Sequence, residues 1–162
     1  METTNERPAS TAIATRPLSV GTLIPSEDTP LSECPTNLDL STWTGRAMLL
    51  QAGNPGDLEI VTGQPLRITV TNYLVMPETR MDEETGELHS FARTVLFTRD
   101  GKHFRSSSAH FPHRIKACLE LFGPEEWARG IMFEIRERPS KRHKGGSYHD
   151  IRVVPCDQIE KE

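Results

Sequence analysis

The sequence predicts a mainly β fold in which five strands form a small barrel with one helix between the third and fourth strands. Three observations carry that expectation. Apolar and polar residues alternate over five separate stretches between Leu66 and Val154, as half-buried strands require. Asp-Gly at 100–101 and Gly-Gly at 145–146 supply turns between neighbouring stretches. Between Ala109 and Gly123 the apolar period changes from two to that of a helix.

Taken in order, "LRITVTNYLV" (66–75) is β-branched and sets Ile68 and Val70 on one face, with Arg67, Thr69, Thr71 and Tyr73 on the other. "MPETRMDEETGEL" (76–88) carries proline, glycine and a run of carboxylates, which predicts a long polar connection. "HSFARTVLFT" (89–98) resumes the strand pattern, with Phe91, Val95 and Phe97 sharing a face expected to be core. "RDGK" turns the chain into a short third strand, "HFRSS" (103–107). Phe111, Ile115, Leu119 and Phe122 then recur at helical spacing, and Gly123-Pro124 stops the helix. "PEEWARG" adds one turn that delivers Trp127 as a plug beneath the barrel. "IMFEIRER" (131–138) and "SYHDIRVV" (147–154) are the fourth and fifth strands, joined by a basic glycine loop.

Upstream, positions 1–40 hold five prolines with many Ser, Thr and acidic residues, a mixture expected to stay disordered because it buries too little apolar surface to offset ordering entropy. "LDLSTWTGRAMLLQAG" is expected to be a short strand or docking segment that opens the ordered domain, 41–155. An acidic tail, 156–162, follows it. The N-terminus lacks the continuous apolar stretch of a secretory signal, and no run approaches the roughly 18–20 apolar residues of a membrane helix, so a cytoplasmic protein is expected. Cys34, Cys118 and Cys156 are widely spaced and read as free thiols. Net charge is −4, but from Gln64 to Val154 there are 15 Lys and Arg against 12 Asp and Glu, while positions 1–40 carry 2 basic and 6 acidic residues. The acidic excess lies in the tails.

Three strands, a helix and two further strands, with a basic loop between the last two, fit an OB-like Greek-key barrel, although an SH3-like barrel or a mixed α+β sheet uses similar elements. With that order in view, "FTRDGKHFRSSSAHFPHRI", "LFGPEEWARGIMFEI" and "GGSYHDIRVV" give the segment from Pro65 to Val154 its resemblance to phage- and plasmid-encoded single-stranded DNA-binding proteins of the OB type. The resemblance implies a protein that coats single-stranded DNA without sequence preference and supports replication or recombination, with no catalytic step.

Binding a single strand needs cations for the phosphates and aromatic faces for the bases, each stack contributing roughly 1–3 kcal/mol. In an OB barrel the ligand crosses the outer face of the middle strands, between the first and last hairpin loops. The candidates are therefore Arg138, Lys141, Arg142 and Lys144 in and beside the last loop, and Tyr73 and Tyr148 with Arg67 and Arg152 on polar strand faces. Arg93 and Arg105 extend the groove. The same loop also fits a merely solvated hairpin, and either tyrosine fits a half-buried site with a satisfied hydroxyl. Ser108 reads as a helix cap. His110, His113 and Cys118 lack a fourth donor at standard spacing, so neither metal nor cofactor is expected. The expected partners are single-stranded DNA, RNA by the same chemistry, replication proteins, and a second copy of the chain across an open strand edge. The rival expectation is a β-barrel module that binds protein through such an edge, without nucleic acid.

Overall fold

Alternation builds one antiparallel sheet in the computed structural model, which describes residues 25–61, 63–142 and 144–155. Its strands are β1 (Leu66–Met81), β2 (Leu88–Thr98), β3 (His103–Ser106), β4 (Ile131–Pro139) and β5 (Ser147–Val153), in the spatial order β3-β2-β1-β4-β5. Among the described residues three α-helices accompany them: α1 (Trp43–Gln51), α2 (His110–Leu121) and α3 (Pro124–Arg129). No helix among the described residues is long and apolar enough to cross a membrane. The N-terminal residues 1–24 and the tail 156–162, with Cys156, lie outside the described residues.

β1 is shared between two neighbours. Leu66–Val70 pairs with β4, and from Val70 to Met81 the strand pairs with β2. Where the partner changes, the register slips: Val70 faces Thr98 but Asn72 faces Phe97, so Thr71 is an extra residue on β1. A bulge of one residue reverses the alternation downstream. Ile68 and Val70 point into the main core before it, and Tyr73 and Val75 point into the same core after it. That reversal corrects the expected exposure of Tyr73, which is 2% exposed with its ring 5.3 Å from Trp127.

The 76–88 connection is also corrected. β1 and β2 continue through it as a paired hairpin, leaving a tight turn at Asp82–Glu87. Asp82 Oδ1 accepts the Glu84 and Thr85 amides, and Gly86 takes the left-handed conformation, so the carboxylate-rich stretch closes itself locally.

The inner face of the sheet is covered, and so is the β1–β2 half of its outer face. On the inner face, Phe111, Ile115 and Cys118 of α2 and Trp127 of α3 pack against Leu96, Phe104, Phe133, Ile135 and Ile151. Each fully buried large apolar side chain contributes roughly 1.5–3 kcal/mol, so this cluster is the principal source of stability. Gly130 makes the α3–β4 corner: its φ is 103°, and a Cβ there would lie 2.4 Å from the Thr69 side chain.

The outer face of β1 and β2 carries a second cluster of Leu74, Val95 and Phe97, capped by Cys34, Leu38, Leu49 and Ala52. Residues expected in a disordered arm are thus part of the fold from Leu31 onward. Once β4 has diverged, the free edge of β1 is taken up by this segment: the Val75 N–H donates to the Pro35 carbonyl at 2.9 Å. Asn37 Oδ1 accepts the Tyr73 N–H at 2.8 Å, and Asn37 Nδ2 donates to the Thr71 carbonyl at 3.1 Å. The "TWTGRAMLLQ" stretch, expected to extend or dock, is helix α1. Thr42 caps it by accepting the Gly45 N–H, and Gly45 lies so close to Asp39 that a Cβ would clash with its carbonyl.

Candidate functional site

Strict alternation in β4 turns Ile131, Phe133 and Ile135 inward, which leaves Glu134, Arg136 and Arg138 outward. In β5, Ile151 points inward and Tyr148, Asp150 and Arg152 outward. The antiparallel register then sets Arg67 of β1, Glu134 of β4 and Arg152 of β5 in one row across three strands. Side chains directly opposite lie within reach of one another. Next along the sheet, Arg136 faces Asp150 and Arg138 faces Tyr148.

Glu134 is the centre of this face. It is 1% exposed, and three guanidinium groups converge on it: Arg67 Nε at 2.9 Å on Oε2, with Arg136 Nε at 2.8 Å and Arg152 Nε at 2.9 Å on Oε1. These charge-assisted hydrogen bonds, Arg152 first, hold its carboxyl at about 2 against an ordinary 4.5, although burial pulls the other way. Arg138 Nε is fixed separately by Asp150 Oδ2 at 2.9 Å. Four arginines against two carboxylates leave the face cationic. A concave pocket of about 130 Å³ opens between Glu134, Arg136, Arg138, Asp150 and Arg152.

The basic loop adjoins the end of this row. The Ser140 N–H donates to the Gly146 carbonyl at 2.9 Å and Gly145 sits at φ 83°, so the loop is a closed turn. Lys141, Arg142 and Lys144 are exposed, and among the described residues no carboxylate is within ion-pair distance of them. His143 lies outside the described residues. Tyr148 is half-buried at the root of the loop with its ring 5.4 Å from that of His110.

β5 is tied to the far edge of the sheet by side chains. Ser106 Oγ and His149 Nδ1 are 2.7 Å apart, and the His149 N–H donates to Ser108 Oγ at 2.7 Å. The Ser108 hydroxyl therefore serves β5 and does not cap α2, whose cap position is Ala109. Burial among Phe104 and Phe111 lowers the His149 pKa, keeping the ring neutral.

Seven of the ten sequence candidates thus gather on one face and its loop: Arg67, Arg138, Lys141, Arg142, Lys144, Tyr148 and Arg152. Three others do not. Tyr73 is core. Arg93 is on the outer face of β2, but only 13% of its side chain is exposed, where it is paired with Glu78. Arg105 on β3 binds the Asn54 carbonyl in the segment that crosses that edge. The middle-strand face expected to hold a ligand is the one buried under residues 31–52, with Val95 and Phe97 fully enclosed. Phe97 is core as expected, though of this second cluster, while Phe91 is half-buried under Arg80, whose guanidinium lies 5.1 Å from the ring centre. Arg136 and Glu134 were missed as site residues. The alternation that selected Arg138 places them beside it, and a lone carboxylate among cations was the available signal.

Comparison of the chain with protein-family models, curated proteins and solved structures finds no match.

Proposed function

We propose that this protein is an OB-type single-stranded DNA-binding protein that coats its ligand without sequence preference, acting in the cytoplasm in replication or recombination of a phage or plasmid. The observation that carries the reading is the row Arg67–Glu134–Arg152, flanked by Arg136 and Arg138 and continued by the basic loop. Arginines held at Nε keep their forked N–H groups in fixed directions, suited to phosphate oxygens. Tyr148 supplies an aromatic face beside them for a base. In support of the OB reading, the order β3-β2-β1-β4-β5 is that of such a barrel opened between its third and fifth strands, and the Ser106–His149–Ser108 contacts bridge that gap. Because residues 31–52 cover the usual face, the ligand runs across β1, β4 and β5 instead.

The test is fluorescence anisotropy with a labelled dT oligonucleotide and a duplex of equal length, at several salt concentrations, for wild type and for Lys141→Ala/Arg142→Ala/Lys144→Ala. Preference for the single strand, loss of affinity with salt, and a slope shallower by about 0.7 per phosphate contact removed are expected. No binding to either oligonucleotide at low salt overturns the reading. A second reading, a module that binds protein through a strand edge, draws on the β1–β2 hairpin, whose cross-strand pair Met81 and Leu88 is exposed. Mixed-partner capture lost on Met81→Ser/Leu88→Ser, with no oligonucleotide binding, is the outcome that favours it.

A further inference from the structure

The single carboxylate at the centre of a cationic face has a consequence opposite to its charge. We infer that the pocket between Arg136, Arg138 and Arg152 is a preformed subsite for one backbone phosphate, and that Glu134 is its positioning residue, required for affinity despite its negative charge. The inference rests on the nucleic-acid reading above and specifies how that site works.

Glu134 is almost fully buried, and what covers it is the arginines themselves. Arg152 is bonded to it through Nε at 2.9 Å, with its side chain about half exposed, so part of its guanidinium stays open to a ligand. Arg136 is bonded through both Nε and Nη2 to the same oxygen, which fixes the plane of its guanidinium. Arg138, which also lines the pocket, is held through Nε by Asp150 at 2.9 Å. An unrestrained arginine loses rotamer entropy when it grips a phosphate. These three have lost it on folding, so less is lost on binding. Phosphate fits the site better than a carboxylate because converging forks from two strands present more N–H groups than two oxygens accept.

Pure electrostatics and positioning make opposite statements about one substitution. Glu134→Gln adds a unit of positive charge to the face, so if charge alone governs binding the variant grips single-stranded DNA more tightly, most visibly at low salt. If Glu134 positions the arginines, the variant binds about tenfold more weakly. Arg152→Lys provides a second variant at a half-exposed position: it retains charge and removes the fork, and its melt shows whether it is folded. The experiment is dT-oligonucleotide anisotropy at matched salt for wild type, Glu134→Gln and Arg152→Lys, with a thermal melt of each. Weaker binding by both variants, with the salt slope of Glu134→Gln unchanged, is the expected result. Tighter or equal binding by Arg152→Lys and by folded Glu134→Gln overturns the inference and leaves the nucleic-acid reading standing. Should Glu134→Gln fail to fold, equal binding by Arg152→Lys alone overturns it. Wild-type protein that ignores dT at low salt removes both together.

Discussion

Glu134 also couples folding to pH. Its folded pKa of about 2 lies below the ordinary 4.5, so the ionised form favours the folded state. The contribution is complete above about pH 4.5 and is lost as pH falls from there toward about 2. Wild type should therefore exceed Glu134→Gln in urea stability at pH 7, and the difference should shrink through that window. A difference that stays constant contradicts the assignment. The two tyrosines separate core from surface just as sharply. Tyr73, whose hydroxyl burial pushes up to about 12, is packed against Trp127, and Tyr73→Ala should cost about 3–5 kcal/mol of stability. Tyr148→Ala should leave stability within about 1 kcal/mol yet weaken dT binding by one stacked base, roughly 1–3 kcal/mol. Denaturation curves and anisotropy on the same two variants check both statements, and Tyr148→Ala with undiminished affinity removes it from the site.

At the level of elements, the docked N-terminal segment completes β1. Asn37 substitutes with its side-chain amide for the strand neighbour that β1 lacks beyond Val70, meeting one N–H and one carbonyl at once. Asn37→Ala should cost about 1–3 kcal/mol and speed hydrogen exchange at the Tyr73 amide, while the β1–β4 pairing keeps its protection. Uniform loss across both halves of β1 would show that the segment is not a separate support. The sequence predicts all five strands and the helix between the third and fourth because two-residue alternation and the Gly123-Pro124 stop are local signals. It does not reveal the bulge at Thr71, since one inserted residue leaves composition and β propensity unchanged while reversing every later face, and Tyr73 is misread for that reason. Nor does it reveal α1 or the docking of residues 31–40. Their apolar residues are few and acquire a partner only when β2 turns Val95 and Phe97 outward. Arg67, Arg138 and Arg152 were legible because each shares a strand with apolar neighbours of unbroken alternation. Glu134 was not, because its role depends on arginines from three strands.

Across the whole molecule, charge separates by face. Of the six acidic residues in the first forty, four (Glu27, Asp28, Glu33 and Asp39) lie among the described residues, against two acidic and two basic residues in positions 1–24. Glu27 is bonded to Ser90 on the hairpin, on the other half of the sheet from the arginine row. Removing residues 1–24 should therefore leave dT affinity unchanged at low salt, and tighter binding by the truncated protein would point to competition from that end. The outer side of the sheet is thus divided: its β1–β2 half is core under residues 31–52, and its β4–β5 half carries the arginine row on which the proposed function rests.

The most direct test is a backbone amide NMR map recorded during titration with dT. Shifts concentrated at Arg67, from Glu134 to Arg152, and through the basic loop are expected, with Leu74, Val95 and Phe97 unmoved. Shifts centred on Leu74, Val95 and Phe97, with residues 31–52 released from the sheet, would contradict the proposed site.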